Sequence, residues 1–327
     1  MGRINIAIAL NRKVLRPAYV MIRSLVKNNN SHQLYVYVLH SELNEKDRLL
    51  LQDALLRDTK GNQMKFIEIN ITTISELPHK YWPLEIYFRL MLPELLGGEI
   101  DRILYLDTDV IVNKDISDFY NTDFEDNLLV AAKDAGFDER VAMDTPEAHV
   151  WNAFFGKFVE DGMIYFCSGV LLMNLSGLKQ EFPFQKYIDT FCLISDKVAF
   201  PDQDLLNYMH YKQTKIVDER KFGLLVDKAY EMGMTYEDVC SNVSILHFAG
   251  YSKPWLVNLI QYDIGKVWWE YAKDSPFYWE LLETVFYDSM ESSIVEDKLQ
   301  ELMTENSELK ELLNRCQTII RKFSANA

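Results

Sequence analysis

An α/β fold, with a mostly parallel central sheet flanked by helices, is predicted by three observations. Over the first 110 residues, short runs rich in Ile, Val and Leu alternate with longer amphipathic stretches, the pattern of strand–helix–strand units. Residues 103–106 (Ile-Leu-Tyr-Leu) have the composition of a strand buried on both faces. Charge then enters abruptly as Asp107-Thr108-Asp109, at the carboxyl end of that strand, where such sheets gather their ligands.

The elements follow in order. A strand is expected at 4–10, then a helix at 17–29 opened by Pro17, with Tyr19, Ile22 and Val26 on one face. A second strand at 33–40 leads to a helix from Asn44, a good N-cap, to about residue 57, and a third strand spans 64–69. Residues 87–96 read as a helix entering the acidic strand, and 128–132 as a strand ending at Asp134. Residues 135–162 are polar and aromatic with little periodicity, and are expected to form a lid or acceptor loop. The apolar run 165–174 is interrupted by Gly169, which signals a bulge or a close backbone approach to a ligand. A helix follows, then another near Pro201, where Asp202 is a candidate cap. A strand at 243–246 runs into His247, and the aromatic stretch to Tyr287 packs on the domain.

Composition narrows the function classes. With a net charge of −15, the chain has no electrostatic basis for nonspecific nucleic-acid binding or for attraction to anionic lipid. A bound nucleotide therefore needs a local site, with a metal. The opening residues lack a signal peptide's apolar core, and no uncharged run approaches the ~20 residues of a membrane span. The four cysteines, Cys167, Cys192, Cys240 and Cys316, are scattered, as reduced thiols of a cytoplasmic protein would be.

On an extended backbone, residues i and i+2 point the same way, so Asp107 and Asp109 are expected to face one side and hold a divalent cation against a phosphorylated ligand. Solvent beginning at the strand end is the alternative account. The second informative element is His247-Phe-Ala-Gly250-x-x-Lys253. A neutral imidazole joining two carboxylates suits Mn²⁺ better than Ca²⁺. Gly250 lets backbone amides approach a phosphate, and Lys253 brings it a compact positive charge.

Together these motifs resemble the retaining glycosyltransferases of family 8, bacterial galactosyl- and glucosyltransferases of GT-A fold. The resemblance spans residues 3–260 and rests on Tyr87-x-Arg89, Ile103-Leu-Tyr-Leu-Asp-Thr-Asp109, Gly169-Val-Leu-Leu-Met-Asn174 with Asp202-Gln203-Asp204, and His247-x-x-Gly250-x-x-Lys253-Pro-Trp255. It implies that Asp107, Asp109 and His247 bind Mn²⁺ (or another divalent cation such as Mg²⁺), which holds the diphosphate of a UDP-sugar. Tyr87, Thr108, Ser168 and Gly169 join the donor site, with Gly250 and Lys253 on the phosphates. Arg89 and Asp202 take the sugar hydroxyls, Gln203 lies near the anomeric carbon, and Asp134 faces the saccharide or glycoconjugate acceptor. Two stretches depart from the family pattern. The base-reading loop is Ala9-Leu-Asn11-Arg-Lys13, with Asn11 where an Asp is usual, and Cys167-Ser168-Gly169 replaces Asn-Ala-Gly. Neither touches the metal triad.

Retention by a covalent route needs a carboxylate beneath the sugar. Gln203 is a poor nucleophile, so front-face attack by the acceptor is favoured, with the leaving phosphate as base. Two other readings compete. A haloacid-dehalogenase-type phosphatase also carries Asp-x-Asp after an apolar strand, but on its first strand and with a later acidic loop absent here. A non-catalytic protein of the same fold would bind the nucleotide sugar without hydrolysing it.

From Glu291 the composition changes, with no Gly, Pro or aromatic residue until Phe323, and the chain is expected to divide into a domain of 1–288 and a C-terminal helix of 289–327. Leu299, Asn306, Leu313 and Ile320 take heptad position a, and Val295, Leu302, Leu309, Cys316 and Phe323 take d. Leucine at d with one Asn at a favours a parallel two-stranded coiled coil, and hence a homodimer. A helix folded back on the domain is the alternative.

Overall fold

The computed structural model describes residues 2–58, 61–74, 77, 82–250, 253–256, 262–291, 303–312 and 314–315. Among these, the strands are β1 (Arg3–Ala9), β2 (Gln33–His40), β3 (Gln63–Glu68), β4 (Arg102–Leu106), β5 (Val110–Val112), β6 (Leu129–Lys133), β7 (Phe166–Asn174), β8 (Thr214–Val217), β9 (Phe222–Leu225) and β10 (Ile245–His247). Seven form one sheet in the order β3-β2-β1-β4-β7-β6-β8, and β5-β10-β9 form a second. In the large sheet β3, β2, β1 and β4 run parallel, as do β6 and β8, while β7 is antiparallel to both its neighbours. The expected mostly parallel α/β architecture is therefore what the chain adopts.

Alternation along the central strands explains their unbroken hydrophobicity. In β4, Leu104 and Leu106 join one core cluster while Ile103 and Tyr105 join the cluster on the opposite face. Val170 and Leu172 of β7 share the first cluster, and Leu171 and Met173 the second. Both faces are covered, so residues 103–106 of β4 and 166–173 of β7 are buried throughout. The helix Leu15–Asn28 sets Ala18, Ile22 and Leu25 against Ile4, Ile6 and Ile8 of β1. It begins two residues before Pro17, which sits in its first turn. The helix Glu45–Leu56 starts as expected at Asn44, whose side chain accepts from the Asp47 N–H while Asp47 returns the bond.

Two expectations fail locally. Residues 135–162 are mostly helical, Phe137–Val141 and Pro146–Glu160, over a small aromatic core of Phe137, Trp151, Phe155 and Tyr165. The start signal was in the sequence: Thr145 accepts from the Ala148 N–H and Pro146 occupies the first turn. Trp151, Phe154, Phe155 and Phe158 also repeat at helical spacing. Asp202 is not a cap either. The helix Pro201–His210 has Phe200 at its N-cap, and the upstream amides of Ala199 and Phe200 go to Asp204, at 2.7 and 2.9 Å.

No helix among the described residues is long and apolar enough to cross a membrane. The last long helix, Tyr278–Glu291, runs through the expected boundary at residue 288. Residues 303–312 are helical and exposed; of the a and d positions of the expected coiled coil, only Asn306 and Leu309 lie within the described residues.

Candidate active site

The site forms at the carboxyl edge of the parallel strands, where β1 ends at Ala9, β4 gives way to Asp107 and β6 to Asp134. Because β7 is antiparallel, its beginning, Phe166 to Gly169, lies at that same edge, and the Asp107 N–H donates to the Gly169 carbonyl at 2.8 Å. Beyond Asp107 the backbone is not extended as expected. The chain turns at Thr108 and Asp109 and enters the second sheet at Val110. The two carboxylates converge all the same, because β10 delivers His247 between them. The His247 Nε2 is 3.1 Å from Asp109 Oδ1 and 4.0 Å from Asp107 Oδ2. Ligand atoms of Asp107, Asp109 and His247 all lie within 4.8 Å of one another.

Gly169 makes this convergence possible. A Cβ there would stand 2.4 Å from His247 Cε1 and 2.7 Å from Asp107 Oδ2, closer than real side chains pack. The close backbone approach read from the sequence is thus an approach to the carboxylate–imidazole cluster. Two carboxylates and one imidazole, cradled where no side chain fits, suit a divalent cation of the Mn²⁺ or Mg²⁺ kind.

Charge is balanced residue by residue. Burial pushes the Arg89 guanidinium toward neutrality, but Asp107, Tyr105 and Asp202 outweigh that and hold it charged. Arg89 donates to Asp107 Oδ1 at 2.8 Å and to the Ser168 carbonyl at 2.6 Å, and its Nε is 3.3 Å from Asp202. Tyr105 adds its hydroxyl to Asp107 at 3.0 Å. Burial raises the Asp202 carboxyl above the usual range, opposed by Arg89. Burial acts likewise on Asp109, yet Lys253 and His247 hold its carboxyl well below that range. The Lys253 ammonium pairs with Asp109 and donates to the Phe248 carbonyl at 2.5 Å. Asp109 in turn keeps the His247 imidazole well above its ordinary pKa, against the effect of burial.

Gln203 ties the remaining members together. Its Oε1 accepts from the Ser168 N–H at 2.9 Å, and its Nε2 donates to Asp134 at 2.9 Å. The Ser168 hydroxyl donates to Asp202 at 3.2 Å. Of the other expected residues, Gly250 adopts φ +67, while Tyr251 and Ser252 lie outside the described residues. Thr108 is buried in the turn, and Tyr87 is wholly buried with its ring edge-on to Phe191, in the wall beneath the site. Asn11 caps the short turn Arg12–Val14, which holds the exposed Lys13, and donates to Glu85 at 3.2 Å.

Sequence reasoning missed Tyr105, Glu85 and Asn207. Asn207 clamps both backbone groups of Phe166 at 2.8 Å, fastening the Gln203 helix to β7. Tyr105 stands inside the motif that ends in Asp107-Thr-Asp109, two residues before the carboxylate it meets, and could have been read there. Glu85 and Asn207 are brought to their partners only by contacts 74 and 41 residues apart in the chain.

The model of glycosyl transferase family 8 matches residues 5–258. The chain is 26% identical to the lipopolysaccharide 1,2-glucosyltransferase of Escherichia coli over 255 residues, 73% of this chain and 69% of that one. It is 24% identical to the lipopolysaccharide 1,3-galactosyltransferase of Salmonella typhimurium over 262 residues, 77% and 73% of the two chains. Among solved structures, galactosyltransferase LgtC with donor and acceptor sugar analogues is similar at TM-score 0.63 and 23% identity, covering 86% of this chain and 96% of that one. An active-site mutant of LgtC reaches 0.67 at 23% identity, covering 84% and 96%. The architecture is the GT-A fold of those neighbours, and, with the family match spanning most of its length, the chain belongs to glycosyl transferase family 8.

Proposed function

We propose that this hexosyltransferase moves glucose or galactose from a UDP-sugar to a saccharide or glycoconjugate acceptor, with retention at the anomeric carbon. The observation that carries the reading is the convergence of Asp107, Asp109 and His247 from two sheets onto one cradle beside Gly169. The named activities of the E. coli and Salmonella relatives support a hexose donor and a glycan acceptor. Mn²⁺, or another divalent cation such as Mg²⁺, is the proposed cofactor. When bound, the ion supplies positive charge to the diphosphate as the sugar–phosphate bond breaks.

The chain's own residues do the rest. Lys253 is proposed to exchange its contact with Asp109 for the diphosphate oxygens, with Gly250 leaving room beside them. Arg89 and Asp202 bind and orient the sugar hydroxyls, Gln203 lies near the anomeric carbon and Asp134 faces the acceptor. Neither carboxylate flanking Gln203 is free to act as a nucleophile: Asp202 is engaged by Arg89 and Ser168. Asp204 accepts from Trp151, Tyr165, Ala199 and Phe200. That saturation favours front-face attack, with the leaving phosphate as base. The free thiols of Cys167, Cys192 and Cys240 suit a cytoplasmic location. A homodimer through residues 291–323 is proposed from the heptad spacing; a monomer by light scattering at micromolar concentration would exclude it.

The deciding experiment is a nucleotide-sugar panel with Mn²⁺, read by donor hydrolysis and by the anomeric configuration of the product. UDP-glucose or UDP-galactose should be consumed only without chelator. An inverted product, or hydrolysis unaffected by chelator, overturns the proposal.

A further inference from the structure

The strand β7 presents its first residues alternately to two sides. Ser168 faces Asp202 and Gln203, whereas Cys167 and Gly169 both face the His247 ring. Gly169 lies against Cε1, and the Cys167 sulfur is 3.6 Å from Nδ1. The other ring nitrogen, Nε2, points at the acids. Both side chains are buried, with the imidazole 3% exposed and the cysteine 5%. Among the described residues, Cys167 is the one that meets Nδ1 at hydrogen-bond distance.

We infer that Cys167 is a positioning residue for the metal-binding histidine: its sulfur accepts the Nδ1 proton and so reserves Nε2 as the nitrogen offered to a divalent cation. An imidazole that binds a cation through one nitrogen keeps its proton on the other, and the acceptor of that proton fixes both tautomer and ring orientation. A thiol sulfur is a weak acceptor, so the hold is looser than a carboxylate or amide oxygen would supply. Cys167 therefore acts through His247 and not on the sugar donor. This inference rests on the cation reading of the Asp107–Asp109–His247 cluster.

The test uses the full chain without nucleotide. Mn²⁺ affinity is measured by calorimetry for the wild type, Cys167→Ala, Cys167→Asn and Asp109→Ala. The tautomer of His247 is read by ¹⁵N NMR in the Mg²⁺-loaded wild type. Cys167→Ala should weaken Mn²⁺ binding about tenfold, the low end for loss of such a partner. Cys167→Asn should restore it to within about threefold, because an amide oxygen accepts the same proton. The wild-type spectrum should show the proton on Nδ1. Unchanged Mn²⁺ affinity in Cys167→Ala overturns the inference and leaves the cation reading standing, whereas a proton on Nε2 in the loaded wild type overturns the inference together with the part of His247 in the cation site. A wild type that binds Mn²⁺ no better than Asp109→Ala removes both. If Cys167→Ala does not fold, Cys167→Asn still tests the inference, since Mn²⁺ binding more than about threefold weaker than wild type would overturn it.

Discussion

His247 stands 138 residues beyond Asp109, yet its Nε2 lies 3.1 Å from the Asp109 carboxylate. Register is the cause. β10 runs antiparallel to β5 and pairs His247 with Val110, the residue that follows Asp109. The Phe248 N–H then donates to the Asp109 carbonyl at 2.9 Å, carrying the ladder one step past the strand ends. The imidazole and the second carboxylate are thus parts of one small sheet, while Asp107 is held to β7 of the large sheet through Gly169. Three expectations concern the site these parts build, and a fourth the core away from it.

Asp107→Ala and Asp109→Ala should both abolish divalent-cation binding, but they should differ in stability. Asp107 is a principal partner of the buried Arg89, so its loss leaves that charge with Asp202 as its one carboxylate partner among the described residues. The cost should be about 3 kcal/mol, the low end for an uncompensated buried charge. Without Asp109, the imidazole can give up its proton and Lys253 keeps the Phe248 carbonyl, so about 1 kcal/mol is expected. Urea unfolding in chelator measures both, and equal losses would contradict this account.

Gly169→Ala should separate site from fold. Its Cβ would displace His247 and Asp107, while the backbone there needs no left-handed conformation. Overpacking should cost about 1–3 kcal/mol. Mn²⁺ affinity should fall by an order of magnitude or more, as expected when ligands lose their arrangement. A variant with wild-type affinity would show that the cluster tolerates displacement and is not the cradle described.

Gln203→Glu replaces an amide that donates to Asp134 at 2.9 Å with a second carboxylate. Two like charges at that distance repel, so the pair should take up a shared proton on acidification at a pH above the ordinary carboxylate range but below about 7. Transfer should drop about tenfold or more at pH 7, the scale of a lost catalytic contact. Relative to wild type at each pH, it should recover as acid restores the shared proton. Gln203→Ala should not recover. A pH-independent ratio for Gln203→Glu would refute the pairing.

His210 tests the core away from the site. It is wholly buried, its Nε2 is 2.8 Å from the Tyr187 hydroxyl, and burial pushes its pKa down to about 3. Unfolded chains take up this proton below about 6.5. Between pH 6.5 and the folded value near 3, the unfolded state therefore binds more protons. Stability from this residue is full above that window and falls through it with decreasing pH, by on the order of a few kcal/mol. His210→Gln should be less stable at pH 7 but lose stability more gently on acidification. Parallel curves for the two proteins in urea titrations across pH would dispose of this.

What the sequence determined by itself is whatever local chemistry encodes. The α/β alternation, the Asn44 cap and the doubly buried strand before Asp107 were legible because periodicity and capping depend on near neighbours. The triad Asp107, Asp109 and His247 was legible as motifs, and Gly169 as a glycine where a strand has no local need of one. The helix Pro146–Glu160 was also written locally, in Thr145-Pro146 and its aromatic spacing, and was obscured by its polar composition. Tertiary structure alone decided the rest. The passage of the chain from one sheet to another at Asp109 depends on pairing with β10, and the use of Asp204 rather than Asp202 at the helix start depends on Arg89 and Ser168 claiming Asp202. The turn of Cys167 toward His247 likewise follows from the phase of β7 against a strand about 80 residues away. Those contacts are set by sheet order and register, and no window of sequence contains both partners.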